Sequence, residues 1–198
     1  MNRRLHAVCL LSITSLSFSG CAKYVTKPLQ KLHTPNKEAV WVSAKALSND
    51  ECQTHFSRNF THKGFQPIQL CISNMSNDVY VFDAKNIDLT IEPRSAVAKR
   101  FKINSTHRAM SWLIPGLFFG IFLIPAAVEG SKSSRANQRL DYDFDQRVLS
   151  NDSVIIIPAK TTMNKVLFVI HENYQPSFTL MLKNRDSKEL QAFDVNVI

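Results

Sequence analysis

A two-residue hydrophobic period that stops and later resumes constrains this chain most. In GFQPIQLCISN, Ile68, Leu70 and Ile72 fall on one face while Gln69, Cys71 and Ser73 fall on the other. Extended backbone puts alternate side chains on opposite faces, so the pattern predicts a strand with one buried face. VWVSAKAL alternates Val40, Val42, Ala44 and Ala46 with Trp41, Ser43, Lys45 and Leu47, and the turn cluster NMSND precedes another strand, VYVFD. NIDLTI, with Ile87, Leu89 and Ile91, and VAKRFKI, with Val97, Lys99, Phe101 and Ile103 opposite Ala98, Arg100 and Lys102, are expected to be strands too. The rhythm returns after residue 153 in VIIIP, KVLFVIH, SFTLMLK and QAFDVNVI.

About eight short strands with polar connections predict a mainly β chain, folded as an immunoglobulin-like antiparallel β-sandwich over residues 40–198. The immunoglobulin Cys–Trp–Cys spacing is absent, so this expectation concerns architecture alone. Ser48 and Glu51 stand at capping-box spacing and predict a short helix after the first strand.

Residues 105–152 interrupt the strands and are expected to form an inserted helical hairpin. Its first part is WLIPGLFFGIFLIPAAV, Trp112–Val128, whose seventeen apolar residues would cover ~26 Å as a helix, just short of a bilayer core. Pro115 suits a first turn, whereas Pro125 predicts a reversal or kink after a short helix over 116–124, followed by a longer helix. Trp112, Leu113, Ile114, Leu117, Phe118, Phe119, Ile121, Phe122 and Leu123 are the residues expected to meet membrane or a protein partner. Gly116 and Gly120 form GxxxG, which permits close helix packing. Three placements follow from the run: a hairpin dipping into the membrane, a single span, or a hairpin buried on the sandwich or a partner. In the second part Ala136, Leu140, Phe144 and Val148 share one helical stripe, so an amphipathic helix is expected.

The N-terminus carries an export pattern. Arg3 and Arg4 precede a twelve-residue apolar stretch, Ala7–Phe18, too short at ~18 Å to span a bilayer. Phe18-Ser19-Gly20-Cys21 resembles the lipobox of bacterial lipoproteins, with Phe18 where that family usually has leucine. The resemblance covers the targeting segment and implies removal of residues 1–20 and lipidation of Cys21, so that acyl chains in membrane lipid become the anchor. Ala22 and Lys23 follow in place of the aspartate of an inner-membrane retention signal, which favours an outer membrane facing the periplasm. Residues 21–39 then form a tether that could reach ~60 Å if extended. In an oxidising compartment Cys52 and Cys71 could pair as a disulfide.

The chemistry of the remaining chain is sparse. Its formal net charge is +8, but the 24 basic residues are scattered, without a dense tract or nucleic-acid module, so no nucleic-acid partner is expected. Asp141, Asp143 and Asp145 alternate like the first ligands of a calcium loop, yet Gln146 replaces the required glycine and no bidentate glutamate follows. His55 and His62 lack a third ligand, and His171-Glu172 lacks the second histidine of a zinc helix. No nucleophile elbow, phosphate loop or dinucleotide-binding turn occurs. The expectation is a non-enzymatic envelope lipoprotein without cofactor or metal, structural or adaptor in role. Its partners would be membrane lipid and a membrane-protein or envelope-complex component. The alternatives are a periplasmic ligand-binding module using the sandwich end loops, or a hydrolase.

Overall fold

The computed structural model describes residues 24–30, 32, 39–102 and 123–198, with side chains from 131 onward in the last stretch. The chain divides into two compact units, residues 1–24 with 103–139 and residues 25–102 with 140–198. The described part of the first is Tyr24 and helical residues 123–139, among which Ser133 and Ala136 are buried.

The second unit holds seven strands, β1 (Val40–Ala46), β2 (Phe65–Asn74), β3 (Tyr80–Ile87), β4 (Val154–Ile157), β5 (Thr161–Ile170), β6 (Ser177–Asn184) and β7 (Leu190–Asn196). They make two antiparallel sheets, one ordered β1-β2-β5 and the other β4-β3-β6-β7. One apolar cluster draws on both sheets: Ile68, Leu70, Ile72, Leu167 and Val169 from the first join Phe82, Phe178, Leu180, Leu182 and Val195 from the second. The alternation expected in β2 therefore holds on its buried face. Its other face is buried as well, with Gln69, Cys71 and Ser73 nearly inaccessible, because segments remote in sequence cover it.

One of them supplies the Gln30 carbonyl to Gln69, and others are helical, packing Phe56 and Phe144 on Phe168 of the same sheet. The predicted capping box forms in α1 (Asn49–Phe56): the Ser48 hydroxyl accepts from the Glu51 amide, and Glu51 accepts from the Ser48 amide. Ser57 ends it in a left-handed conformation, and Gly64, at φ 80, closes the short turn that feeds β2. Two expected strands are absent. Regular pairing stops at Ile87, after which the Asp88 amide bonds to the Thr179 carbonyl and the Glu92 amide to the Phe168 carbonyl, carrying the chain from one sheet to the other. Leu89 and Ile91 are buried without being in a strand. VAKRFKI is instead helical, α2 (Arg94–Phe101), because Pro93 sits at its N-cap and Val97, Ala98 and Phe101 form one buried helical face.

The expected amphipathic helix is α3 (Leu123–Arg147), with Ala136, Leu140 and Phe144 buried and Val148 just beyond its end. The described helix runs through Pro125 where a break was expected before the longer helix, and residues 116–122 of the preceding short helix lie outside the described residues. In the second unit α3 helps to bury a second apolar cluster on the outer side of the β1-β2-β5 sheet. Phe144 stacks on Phe168 at 5.6 Å and 8°, and Phe56, Phe60, Phe65 and Phe101 close around this pair. The first arm of the expected hairpin lies outside the described residues. No helix among the described residues is long and apolar enough to cross a membrane.

Candidate functional site

The polar constellation with the most internal order holds residues 25–30 onto the second unit. Its bonds are largely to main chain, which is why no side-chain pattern in the arm announces them. The Lys27 amide donates to the Thr54 carbonyl at 3.2 Å, and the Lys27 carbonyl accepts from Arg147 Nη1 at 3.0 Å and from His55 Nδ1 at 3.3 Å. Arg147 Nη1 also donates to the His55 carbonyl at 3.0 Å, tying arm, α1 and α3 through one guanidinium. Ser57 Oγ donates to the Val25 carbonyl, and Gln69 Nε2 donates to the Gln30 carbonyl at 2.5 Å. Arg147 is positioned by Asp143, one turn earlier at 3.9 Å, and Asp143 accepts from Thr26 Oγ1 at 2.9 Å. A planar guanidinium suits this task because its donors are fixed in direction and it stays charged.

The three alternate aspartates therefore serve docking. Asp141 pairs with Lys102 at 2.8 Å and Asp145 with Arg94 at 3.5 Å, while Asp143 takes the arm and Arg147. The outer two pairs are half exposed and each contributes ~0–1 kcal/mol, whereas Asp143 is largely buried. His55 is buried and committed to the Lys27 carbonyl, while His62 is exposed, so the two do not share a site. No group of three potential metal ligands occurs among the described residues.

The disulfide considered between Cys52 and Cys71 is not formed: both thiols are free and buried. Cys52 lies in α1 with its Sγ 3.9 Å from the Leu47 carbonyl. Burial, reinforced by the Glu51 carboxylate, pushes its thiol up to about 12. Burial also raises Cys71, which pairs in register with Ser43 of β1, and the Ser43 hydroxyl offsets part of that. Neither is poised as a thiolate nucleophile.

A shallow hollow lined by Arg94, Asp145, Asp152 and Lys165 is the other place where charges converge. Burial, then the Arg94 charge, lowers the Lys165 ammonium below its usual range, and its Nζ donates to the Gln146 carbonyl. With Arg94 already on Asp145, both cations are engaged within the protein.

Cys21, Gly116, Gly120 and the apolar residues Trp112, Leu113, Ile114, Leu117, Phe118, Phe119, Ile121 and Phe122 lie outside the described residues. Leu123 begins the described part of α3, with its side chain also outside that description. No protein-family model, curated protein sequence or solved structure matches this chain.

Proposed function

We propose that this chain is a non-enzymatic lipoprotein of a bacterial envelope, structural or adaptor in role. Acyl chains on Cys21 would hold a folded domain at a membrane, the outer membrane facing the periplasm being favoured by Ala22 and Lys23. The observation that carries the tethering reading is the bound arm: four separate donors, Arg147, His55, Ser57 and Gln69, fix the chain a few residues after Cys21. A domain pulled by its N-terminus gains from such a clamp, which spreads load into α1, α3 and β2.

For the domain we propose an immunoglobulin-like sandwich. Lettering the strands A, B, C, C′, E, F and G in chain order turns the two sheets into ABE and C′CFG, with B–C, C′–E and E–F links passing between sheets. That arrangement is shared by sandwiches whose fourth strand joins the third. The connection that holds the helical insert then replaces the short C–C′ turn, leaving after Ile87 and returning at Val154, which pairs with Asp83. The apolar hairpin proposed for its first part would contact the bilayer or a membrane-protein partner.

Labelled palmitate tests the anchor: it should enter the wild-type protein and fail to enter Cys21→Ser. No incorporation into the wild type refutes it. Carbonate extraction of Cys21→Ser tests the hairpin, since protein that still resists extraction has a second membrane attachment.

A further inference from the structure

The bound arm shortens the tether. Eighteen residues after Cys21 could span ~60 Å, but the chain is already held at Val25, leaving four residues, or ~14 Å when extended. A ten-residue strand such as β2 is ~33 Å long, so this leash cannot let the domain turn freely above a bilayer. It dictates which end faces the lipid.

We infer that the surface around the Thr26–Asp143 hydrogen bond lies against the phospholipid bilayer, with Val25 and Tyr142 in the headgroup region beside Lys27. Val25 and Tyr142 each adjoin one partner of that bond, and they are 53% and 67% exposed although large and apolar. A tyrosine ring suits the headgroup layer, where its body meets acyl chains and its hydroxyl meets water. The Lys27 side chain is exposed while its main chain is clamped, so its ammonium is free to face anionic headgroups. At the other end, the turn after Asn184 is tied to Val79 and Tyr80, whereas α1 follows Ala46 at the opposite end of the strands.

This inference rests on the lipid anchor, and the experiment separates the two. The full chain, expressed with its signal and purified in lipidated form, carries a nitroxide on Tyr142→Cys or on Asp186→Cys. Cys52 and Cys71 are buried and do not compete for the label. In vesicles of phosphatidylethanolamine and phosphatidylglycerol, the ratio of oxygen to nickel-complex accessibility should be severalfold higher at position 142 than at 186. Inserting about twelve Gly/Ser residues between Lys23 and Tyr24, a flexible extension, should lower the ratio at 142 to that at 186. Equal ratios in lipidated protein of natural tether length overturn the inference and leave the anchor standing. A protein whose mass shows no acyl chains removes both.

Discussion

Phe144→Ala should be the most damaging single truncation of α3. Phe144 is 2% exposed, stacks on Phe168, and lies 6.0 Å from both Phe56 and Phe60, centre to centre. Removing the ring forfeits its burial and leaves a cavity among side chains fixed on α1, the turn after it and β5. Phe→Ala changes of this kind cost ~3–5 kcal/mol, and three ring contacts place this one in the upper half of that range. Because domain stabilities run to ~5–15 kcal/mol, the variant would lose a large share of its margin. The control is Tyr142→Ala, two residues away on the same helix but 67% exposed, expected within ~0.5 kcal/mol of wild type. Urea unfolding of both in a Cys21→Ser background, read by circular dichroism, measures the contrast. A loss below ~1 kcal/mol for Phe144→Ala would refute the claim that the phenylalanine cluster holds the end of α3 to the second unit.

Arg147→Ala should free the arm, since the hydrogen bonds lost involve a charged donor and are worth ~1.5–3 kcal/mol each. Hydrogen–deuterium exchange at the Lys27 amide, bonded to the Thr54 carbonyl, should then quicken well before the domain unfolds, while wild type stays protected; identical exchange rates would count against the clamp. Burial acting alone would raise the Glu51 carboxyl, but hydrogen bonds from Lys45 and Ser48 outweigh it and hold the group below its usual range. Its stabilisation is therefore complete above the ordinary carboxylate range and lost as pH falls through the lowered value. Glu51→Gln should be less stable than wild type at neutral pH, with the gap in urea midpoint closing under acid; a gap constant with pH would contradict this. Ser48→Ala should cost ~1 kcal/mol through the same capping box, measured by urea unfolding at neutral pH. Thiol reagents should leave Cys52 and Cys71 untouched in native protein and modify both after denaturation, whereas a mass showing a cross-link would contradict the free thiols.

What the sequence disclosed depended on how far each signal reached along the chain. β2 and α1 were legible because their evidence is local: a two-residue period in one and a reciprocal cap three residues apart in the other. VAKRFKI misled because Val97 and Phe101, four apart, satisfy both a strand face and a helix face, and Pro93 decides for the helix. Leu89 and Ile91 alternate because both are buried, although the segment serves as a link between sheets. The clamp left little trace, since apart from the Thr26 hydroxyl the arm contributes carbonyls and amides that every residue has. The one unusual side chain, Arg147, lies more than a hundred residues from the chain it holds.

The insert and the arm also answer a problem set by the sheets. β5 and β1 are the outer strands of the first sheet, and open strand edges invite pairing with other chains. The connection between β3 and β4 covers β5, where the Glu92 and Leu149 amides bond to the Phe168 and Val166 carbonyls, and the C-terminus covers β1 through reciprocal bonds between Ala44, Ala46 and Ile198. In the second sheet β4, with Val154 and Ile156 exposed, has no further strand beside it among the described residues, but it is only four residues long. An inserted segment between strands that end close together adds little closure entropy, because that cost grows only with the logarithm of loop length. The insert can therefore be long at small expense, and its Asp143 and Arg147 do double duty by fastening the arm. Force applied at the N-terminus passes partly through that pair into α3 and the Phe144–Phe168 stack, and partly through Ser57, His55 and Thr54 into α1. The strength of the attachment is thus set where arm, helix and sheet meet, and loosening Phe144 should release the arm even with every arm residue intact.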